Sequence, residues 1–544
     1  MLRVAPLLLA VGAPLVAQGA DERAAVRASR AGWGKMPAKP ESRLEELIPG
    51  QETPDVKRAR RWAESRMRAL GELEDFHGKE TAQQLVRAHD SLAKDLSVVD
   101  RDRKKARLDV AKAYAVIQKV LNGRRPQPGE PAPSGWYRYT VASLEAGRLR
   151  VLRDGLDAQS KEIQRQVGEL NEAALVWMLD KVVGDRRQTL PFKLAVTRRV
   201  AALGAPMLEH LGAELKAAKD APTLAAVIEG LGILGPSARG VAPRVVAMLD
   251  HDDQGVRERA ALALARIAVP EAIEPLIDLL GRERGMAGIR IAGALEILTR
   301  QELGNNVSSW RAWLEAEGEA FTSGREPLGG GQVSANREQV RSYYFGIEQK
   351  GESILYVIDC SGSMEVDYET PEFEGGVGQP AKPGKSRLDA CREELNRALD
   401  LLTSLQRFNV LWYNHEGHLY KPKMQAATSK NIDAAKAFLA ELKPESSTNI
   451  YGAMELAFHG LSRGGNDPAF AADFDMVYLL TDGMPTLPGA GAGNDLPENI
   501  MAAIKQWNPM GRVVIHTIGI GDGMDVDFLR RLAAENGGTF KKAK

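Results

Sequence analysis

The apolar positions of the chain change period along its length, and each change marks a region. From about residue 55 to 122 they keep to one helical face, with Val110, Tyr114, Ile117 and Leu121 following at spacings of four, three and four. The segment Gly123–Gly129 interrupts this, with Pro126 and Pro128 inside it and Pro131 and Pro133 just beyond. Helical spacing resumes near Val141 and runs to about 184. From about 190 to 315 the pattern repeats itself. Ile228–Leu234 aligns with Ala261–Ile267 at an offset of 33 residues, and Ala292–Leu298 lies 31 further on. Each unit continues into a second apolar helix, such as Ala242–Leu249 and Ala272–Leu280. Two helices in each period of roughly 30 to 40 residues predict an α-solenoid, with an ordinary helical bundle as the alternative. Small residues in the first helix of each unit let neighbouring helices approach closely.

Beyond Tyr343 short apolar runs alternate with amphipathic ones. Strands are expected at Ser353–Ile358, Phe408–Tyr413, Met476–Leu480 and Val513–Ile518. Between and after them, helices are expected at Leu388–Leu402, Asp433–Leu442, Ile450–Leu461, Leu496–Trp507 and Val526–Glu535. That alternation predicts a doubly wound parallel sheet with helices on both faces. The expected fold is therefore multidomain, an all-α N-terminal region with solenoid repeats followed by a C-terminal α/β Rossmann-like domain. The expected divisions are 1–20 leader, 21–54 linker, 55–185 helical region, 186–320 repeats, 321–342 linker and 343–544 α/β domain. The first linker is polar, and Pro37, Pro40, Pro49 and Pro54 leave no room for a long helix. The second contains Gly324, Pro327 and Gly329–Gly331.

Composition narrows the function classes. With 544 residues the chain exceeds one ordinary core, and 44% hydrophobic with 26% charged residues is a globular balance. Lys and Arg total 72, as do Asp and Glu, so nothing in the net charge points to nucleic acid or an anionic membrane. The basic run Lys57–Arg61 is followed by Glu64, Glu72, Glu74 and Asp75, which reads as a solvated helix face. The first twenty residues resemble a secretory leader: Arg3, then the apolar stretch Val4–Val16, then the small-residue site Ala17-Gln18-Gly19 cut before Ala20. The expected location is accordingly secreted or periplasmic, with no stable membrane insertion after cleavage, since no run of 18 apolar residues follows Ala20. Two cysteines, Cys360 and Cys391, make no disulfide framework, and whether they pair stays open.

The chemistry concentrates at the carboxyl ends of the expected strands, where ligands sit in such sheets. The first strand runs into Asp359-Cys360-Ser361-Gly362-Ser363. Alternate residues of an extended chain point the same way, so Asp359, Ser361 and Ser363 can converge, with Gly362 permitting the tight turn. A carboxylate and two hydroxyls are hard oxygen donors suited to Mg²⁺ or Mn²⁺, whereas zinc would call for His or Cys.

These residues carry a family resemblance. Asp359-Cys360-Ser361-Gly362-Ser363 is similar to the D-x-S-x-S signature of the metal-ion-dependent adhesion site in von Willebrand factor A domains. That family adds a Thr from a second loop and an Asp after a later strand, matched in place by Thr448 of Ser447-Thr448-Asn449 and Asp482 of Thr481-Asp482-Gly483. The resemblance implies that Ser361, Ser363 and Thr448 bind the cation through hydroxyls, and Asp359 and Asp482 directly or through water. It also implies a protein partner that offers an Asp or Glu carboxylate to the open coordination position. The solenoid segment resembles HEAT-like repeats over about 100 residues. An acidic insertion with Glu365, Asp367, Glu369, Glu372 and Glu374 separates Ser363 from Ser386, and is either a partner-shaping element or a solvated loop.

Other motifs fail on context. Gly384-Lys385-Ser386 lacks the glycine a P-loop needs at position 379, where Gln379 stands. His415-Glu416-Gly417-His418 has its histidines three apart and follows a strand, unlike a helical zinc-protease motif. Gly519-Ile520-Gly521-Asp522-Gly523 follows the last expected strand, outside a dinucleotide context. No catalytic set emerges. The expected function is non-enzymatic, an exported, divalent-cation-dependent adhesion or scaffolding protein. The alternatives are a metal-assisted hydrolase at the same site, or a scaffold in which the metal only stabilises the fold.

Overall fold

The computed structural model describes residues 12–33, 35–36, 54–121, 136–322, 342–366, 385–445, 448–461, 472–483, 497–521 and 523–543. Internal contacts divide the chain into two compact units, Met1–Ala217 and Ala218–Lys544.

The first unit is helical: α1 (Gly12–Gly32), α2 (Pro54–Gly71), α3 (Lys79–Leu121), α4 (Trp136–Glu169), α5 (Glu172–Met178), α6 (Leu190–Ala202) and α7 (Leu208–Ala217). The second half of α1 corrects the expected linker. Glu22, Ala25, Val26 and Ser29 are buried at helical spacing within residues 21–32. The Glu22 carboxylate accepts from Thr81 N at 3.0 Å and Thr81 Oγ1 at 2.7 Å, satisfying orphan donors at the start of α3. The prolines that argue against a helix all lie beyond Gly32, so they end it rather than prevent it. Inside the unit the Arg66 guanidinium lies 4.6 Å from the Trp33 ring and 4.4 Å from the Trp62 ring, and pairs with Asp95 at 2.6 Å. The boundary at Ala217 falls within the expected 186–320 block, because α6 packs on α4 and α5.

The second unit opens with stacked helices α8 (Ala221–Leu234), α9 (Ala242–Ala247), α10 (Gln254–Ile267), α11 (Ile273–Arg282), α12 (Gly285–Thr299) and α13 (Val307–Thr322). The stack α8–α10–α12 joins the repeats that the 33- and 31-residue offsets matched. Close approach is visible at Gly232, where a Cβ would lie 3.1 Å from the Ala263 Cα and 3.2 Å from its Cβ. Gly232→Val is therefore expected to force α8 and α10 apart and cost about 1–3 kcal/mol, read as a lowered urea midpoint. The stretch Ala221–Asp250 is apolar and long enough to cross a membrane by composition, but 67% of its most apolar window is buried in the protein. Its apolar excess is used in packing.

The α/β part begins with a hairpin, β1 (Tyr343–Tyr344) and β2 (Ile347–Glu348). Then follow β3 (Ser353–Asp359), α14 (Arg387–Asp400), β4 (Arg407–Tyr413), β5 (Gly417–Leu419), β6 (Gln425–Ala426), α15 (Ser429–Ala440) and α16 (Ile450–Gly460). Next come β7 (Met476–Thr481), α17 (Pro497–Trp507), β8 (Val514–Ile520), α18 (Val526–Glu535) and β9 (Phe540–Ala543). The sheet order is β5-β4-β3-β7-β8-β9, with β6 paired to β4. β3, β4, β7, β8 and β9 run parallel, while β5 and β6 are antiparallel to β4. All seven residues of β3 are buried, as expected of a strand covered on both faces. One face packs on α14 and α15, the other on α16, α17 and α18. The four expected strands and five expected helices of this domain are all present, within a few residues at their ends. Too short or too polar to read were β5, β6, β9 and the hairpin.

The helical stack and the sheet are joined by polar contacts. Both Asp475 carboxylate oxygens are used: Oδ2 accepts from Met286 N at 3.2 Å and Glu352 N at 3.0 Å, and Oδ1 from Ser353 N at 2.9 Å. Arg259 donates to Met510 O at 2.9 Å, and Arg290 to Gly511 O at 3.1 Å. Arg512 returns a hydrogen bond to Gln254 at 3.2 Å. Gly285, at φ 55°, marks the closest approach, since a Cβ there would meet Glu352 N at 2.5 Å. The expected linker at 321–342 lies almost wholly outside the described residues.

Candidate metal centre

The chain leaves β3 toward β4 on one side and later returns to β7 on the other, so the strand order switches at the carboxyl end of β3. This is where a crevice opens in doubly wound sheets. Asp359 is the last residue of β3, and beside it β7 ends at Thr481 with Asp482 the next residue. Thr448 lies two residues before α16, whose N-cap Asn449 accepts from Gly452 N at 2.7 Å. A Cβ on Gly483 would lie 3.6 Å from Thr448 Oγ1, which places that hydroxyl against the Asp482 loop.

Four expected residues are linked by hydrogen bonds. Ser361 and Ser363 hydroxyls lie 3.1 Å apart, and Ser363 Oγ donates to Asp482 Oδ1 at 2.7 Å. Asp359 Oδ1 accepts from Ser361 N at 2.8 Å, and its Oδ2 from Thr481 Oγ1 at 2.8 Å and the Tyr413 hydroxyl at 3.4 Å. Asp359, Ser361, Thr448 and Asp482 are buried, whereas Ser363 is exposed on the short 3₁₀ turn after Ser361. Neighbouring oxygens on an octahedron with bonds of ~2.1 Å are ~3.0 Å apart. The hydrogen-bond spacings from Ser361 through Ser363 to Asp482 are of that size, so these oxygens are close enough together to share one small hard cation. Among the described residues no three His, Cys, Asp or Glu side chains gather into a separate cluster.

Three supporting residues escaped the sequence analysis: Thr481 and Tyr413, which hold Asp359, and Arg387, whose Nη1 donates to Asp482 Oδ2 at 2.9 Å. Thr481 adjoins a candidate ligand and Tyr413 ends an expected strand, so both carried some signal. Arg387 carried none, because the insertion separates it from the motif. Of the acidic residues of the insertion only Glu365 is among the described residues. Cys360 and Cys391 are unpaired buried thiols in one core cluster, and burial pushes both upward in pKa. The His415–His418 segment turns into β5, where His418 pairs with Trp412 across the antiparallel ladder and stacks on its ring, and burial lowers its pKa to about 4.

Burial, reinforced by the neighbouring Asp482 carboxylate, raises Asp359 from 3.8 to about 6. An acid whose folded pKa exceeds its unfolded one takes up a proton on folding. Its stabilising contribution is full below about pH 4 and is lost as pH rises through 6. In chelator, the protein is expected to lose on the order of 3 kcal/mol of stability from this residue between pH 4 and 7. Comparison of urea midpoints for wild type and Asp359→Asn checks this: the variant's profile should lack that fall.

Together these features define an architecture of helical repeats followed by an α/β domain with a strand-end oxygen cluster. Residues 208–296 match the family of HEAT repeats, and residues 380–541 match the von Willebrand factor type A domain, a match that begins after the Asp359–Ser363 segment. The C-terminal fold is that of a von Willebrand factor A domain. The chain is similar to inter-alpha-trypsin inhibitor heavy chain H4 of Homo sapiens, 26% identical over 218 residues, which are 39% of this chain and 21% of that one. It is also similar to heavy chain H2 of Mesocricetus auratus, 29% identical over 187 residues, 34% of this chain and 17% of that one. The match thus spans about a fifth of the length of these relatives. Among solved structures, a von Willebrand factor type A protein from Catenulispora acidiphila is 20% identical with a TM-score of 0.27, covering 36% of this chain and 40% of that one.

Proposed function

We propose that the C-terminal domain is a divalent-cation-dependent protein-binding module. In this reading Ser361, Ser363 and Thr448 hold one Mg²⁺ or Mn²⁺ through their hydroxyls, with Asp482 beside them. Asp359, whose two oxygens already accept from Ser361, Thr481 and Tyr413, acts through water. The cation supplies a Lewis-acidic position for an Asp or Glu carboxylate of a partner protein. Hydroxyl ligands satisfy coordination without cancelling charge, so attraction for an anion persists at that position. The observation that carries the reading is the run of oxygens from Ser361 through Ser363 to Asp482 at octahedral spacing. The helical repeats provide a second surface, and the leader-like first twenty residues support export to a secreted or periplasmic location. The carboxylate that accepts from Ser363, Asp482, is held at its other oxygen by Arg387, which favours binding over hydrolysis.

The test is Mn²⁺ titration of the full chain followed by electron paramagnetic resonance, with partner capture from the exported proteome in Mg²⁺ and in chelator. One bound Mn²⁺ per chain is expected, with capture that chelator reverses and a glutamate-bearing peptide competes. Capture unchanged in chelator would refute the reading.

A further inference from the structure

Arg387 places a fixed positive charge against the cluster just described. It is the first residue of α14, whose N-cap Ser386 accepts from Asp389 N, so its backbone is set by the helix start. Its Nη1 lies 2.9 Å from Asp482 Oδ2, with the Arg side chain 19% exposed and the Asp side chain 0% exposed. The Asp482 carboxylate is thereby divided, Oδ1 taken by Ser363 and Oδ2 by Arg387. The guanidinium rests on Gly521, where a Cβ would lie 2.6 Å from Arg387 Cζ and where φ is 75°. A Cβ on Gly523 would in turn lie 3.4 Å from Asp482 O. Two glycines of the Gly519–Gly523 segment therefore have a physical role: Gly521 makes room for Arg387 and Gly523 for the Asp482 loop.

We infer that Arg387 is a specificity-determining residue of the cation site, which denies Asp482 a bidentate contact and keeps the loaded site net positive. The inference rests on the proposed cation reading. Ca²⁺ takes six to eight oxygens and uses bidentate carboxylates, whereas Mg²⁺ and Mn²⁺ accept six single contacts. With one Asp482 oxygen held by Arg387, the site lacks the donor count that favours Ca²⁺. The charges of Asp359, Asp482 and Arg387 sum to minus one when both carboxylates are ionised. A divalent cation then leaves plus one for an incoming carboxylate, where the two aspartates alone would leave zero.

The experiment titrates full-length wild type, Arg387→Gln and Arg387→Met with MnCl2 and with CaCl2 by calorimetry, with circular dichroism as the folding check. Wild type is expected to bind Mn²⁺ in clear preference to Ca²⁺. Both variants are expected to bind either cation more tightly, since a repelling charge is gone, and Ca²⁺ to gain at least about tenfold more than Mn²⁺. Wild type that binds no Mn²⁺ would overturn the cation reading itself. Wild type that binds Ca²⁺ as tightly as Mn²⁺, or folded variants with an unchanged ratio, would overturn the role of Arg387 alone.

Discussion

Ser363→Ala is expected to weaken Mn²⁺ binding at least ~100-fold and to abolish cation-dependent partner capture, while shifting the melting temperature little. Loss of an outer-shell partner typically costs 10–100-fold in metal affinity, and a direct hydroxyl ligand belongs at or beyond the upper end of that range. The same substitution also removes the donor that orients Asp482 Oδ1 at 2.7 Å. Ser363 is exposed, and exposed substitutions usually change stability by only about 0.5 kcal/mol. Function and stability are thereby separated, which replacing buried Asp482 would not achieve, because that would strand Arg387. Calorimetry with MnCl2 beside a thermal melt in chelator reads both quantities. Unchanged Mn²⁺ affinity in a folded variant would remove Ser363 from the proposed ligand set.

Asp475→Ala is expected to lower the stability of the second unit by about 3–5 kcal/mol, because it strands buried donors that one carboxylate now satisfies. Those donors are Met286 N, Glu352 N and Ser353 N. Burial raises the Asp475 pKa while these three hydrogen bonds oppose the rise, so desolvation and donation are in tension at the residue. Asp475→Asn should fall between wild type and alanine, since an amide keeps one accepting oxygen and adds a donor without an assigned acceptor. Urea unfolding followed by tryptophan fluorescence distinguishes the three proteins. A change below about 1 kcal/mol for the alanine variant would show that water replaces the carboxylate.

How far the fold could be read from sequence depended on how local its determinants are. β3, β4, β7 and β8 are continuous apolar runs, and the helices between them have one apolar stripe, so each could be recognised in its own window. The helix over residues 21–32 could not, because its buried positions include Glu22 and Ser29, which pattern as solvent-facing until Thr81 is seen to need a partner. The short strands β5, β6 and β9 depend on pairing with β4 and β8 and have no pattern of their own. At the candidate site, Asp359, Ser361 and Ser363 could be proposed from their alternate spacing after an apolar strand, and Thr448 and Asp482 only from the family resemblance. The residues that tune it come from elsewhere in the chain. Arg259 and Met510, at the union of helices and sheet, are 251 positions apart, a distance over which no periodicity speaks.

The position of β3 has a mechanical consequence. Its first residue, Ser353, is held by Asp475 where the repeats join the sheet, and its last, Asp359, belongs to the oxygen cluster. Six steps along the strand separate the two by roughly 20 Å. A partner tugging on the cluster would load this strand lengthwise, in shear against β4 and β7 on both flanks, the direction in which parallel ladders resist best. Tension would then pass along β3 to the Asp475 contacts and, through them, to the helical repeats.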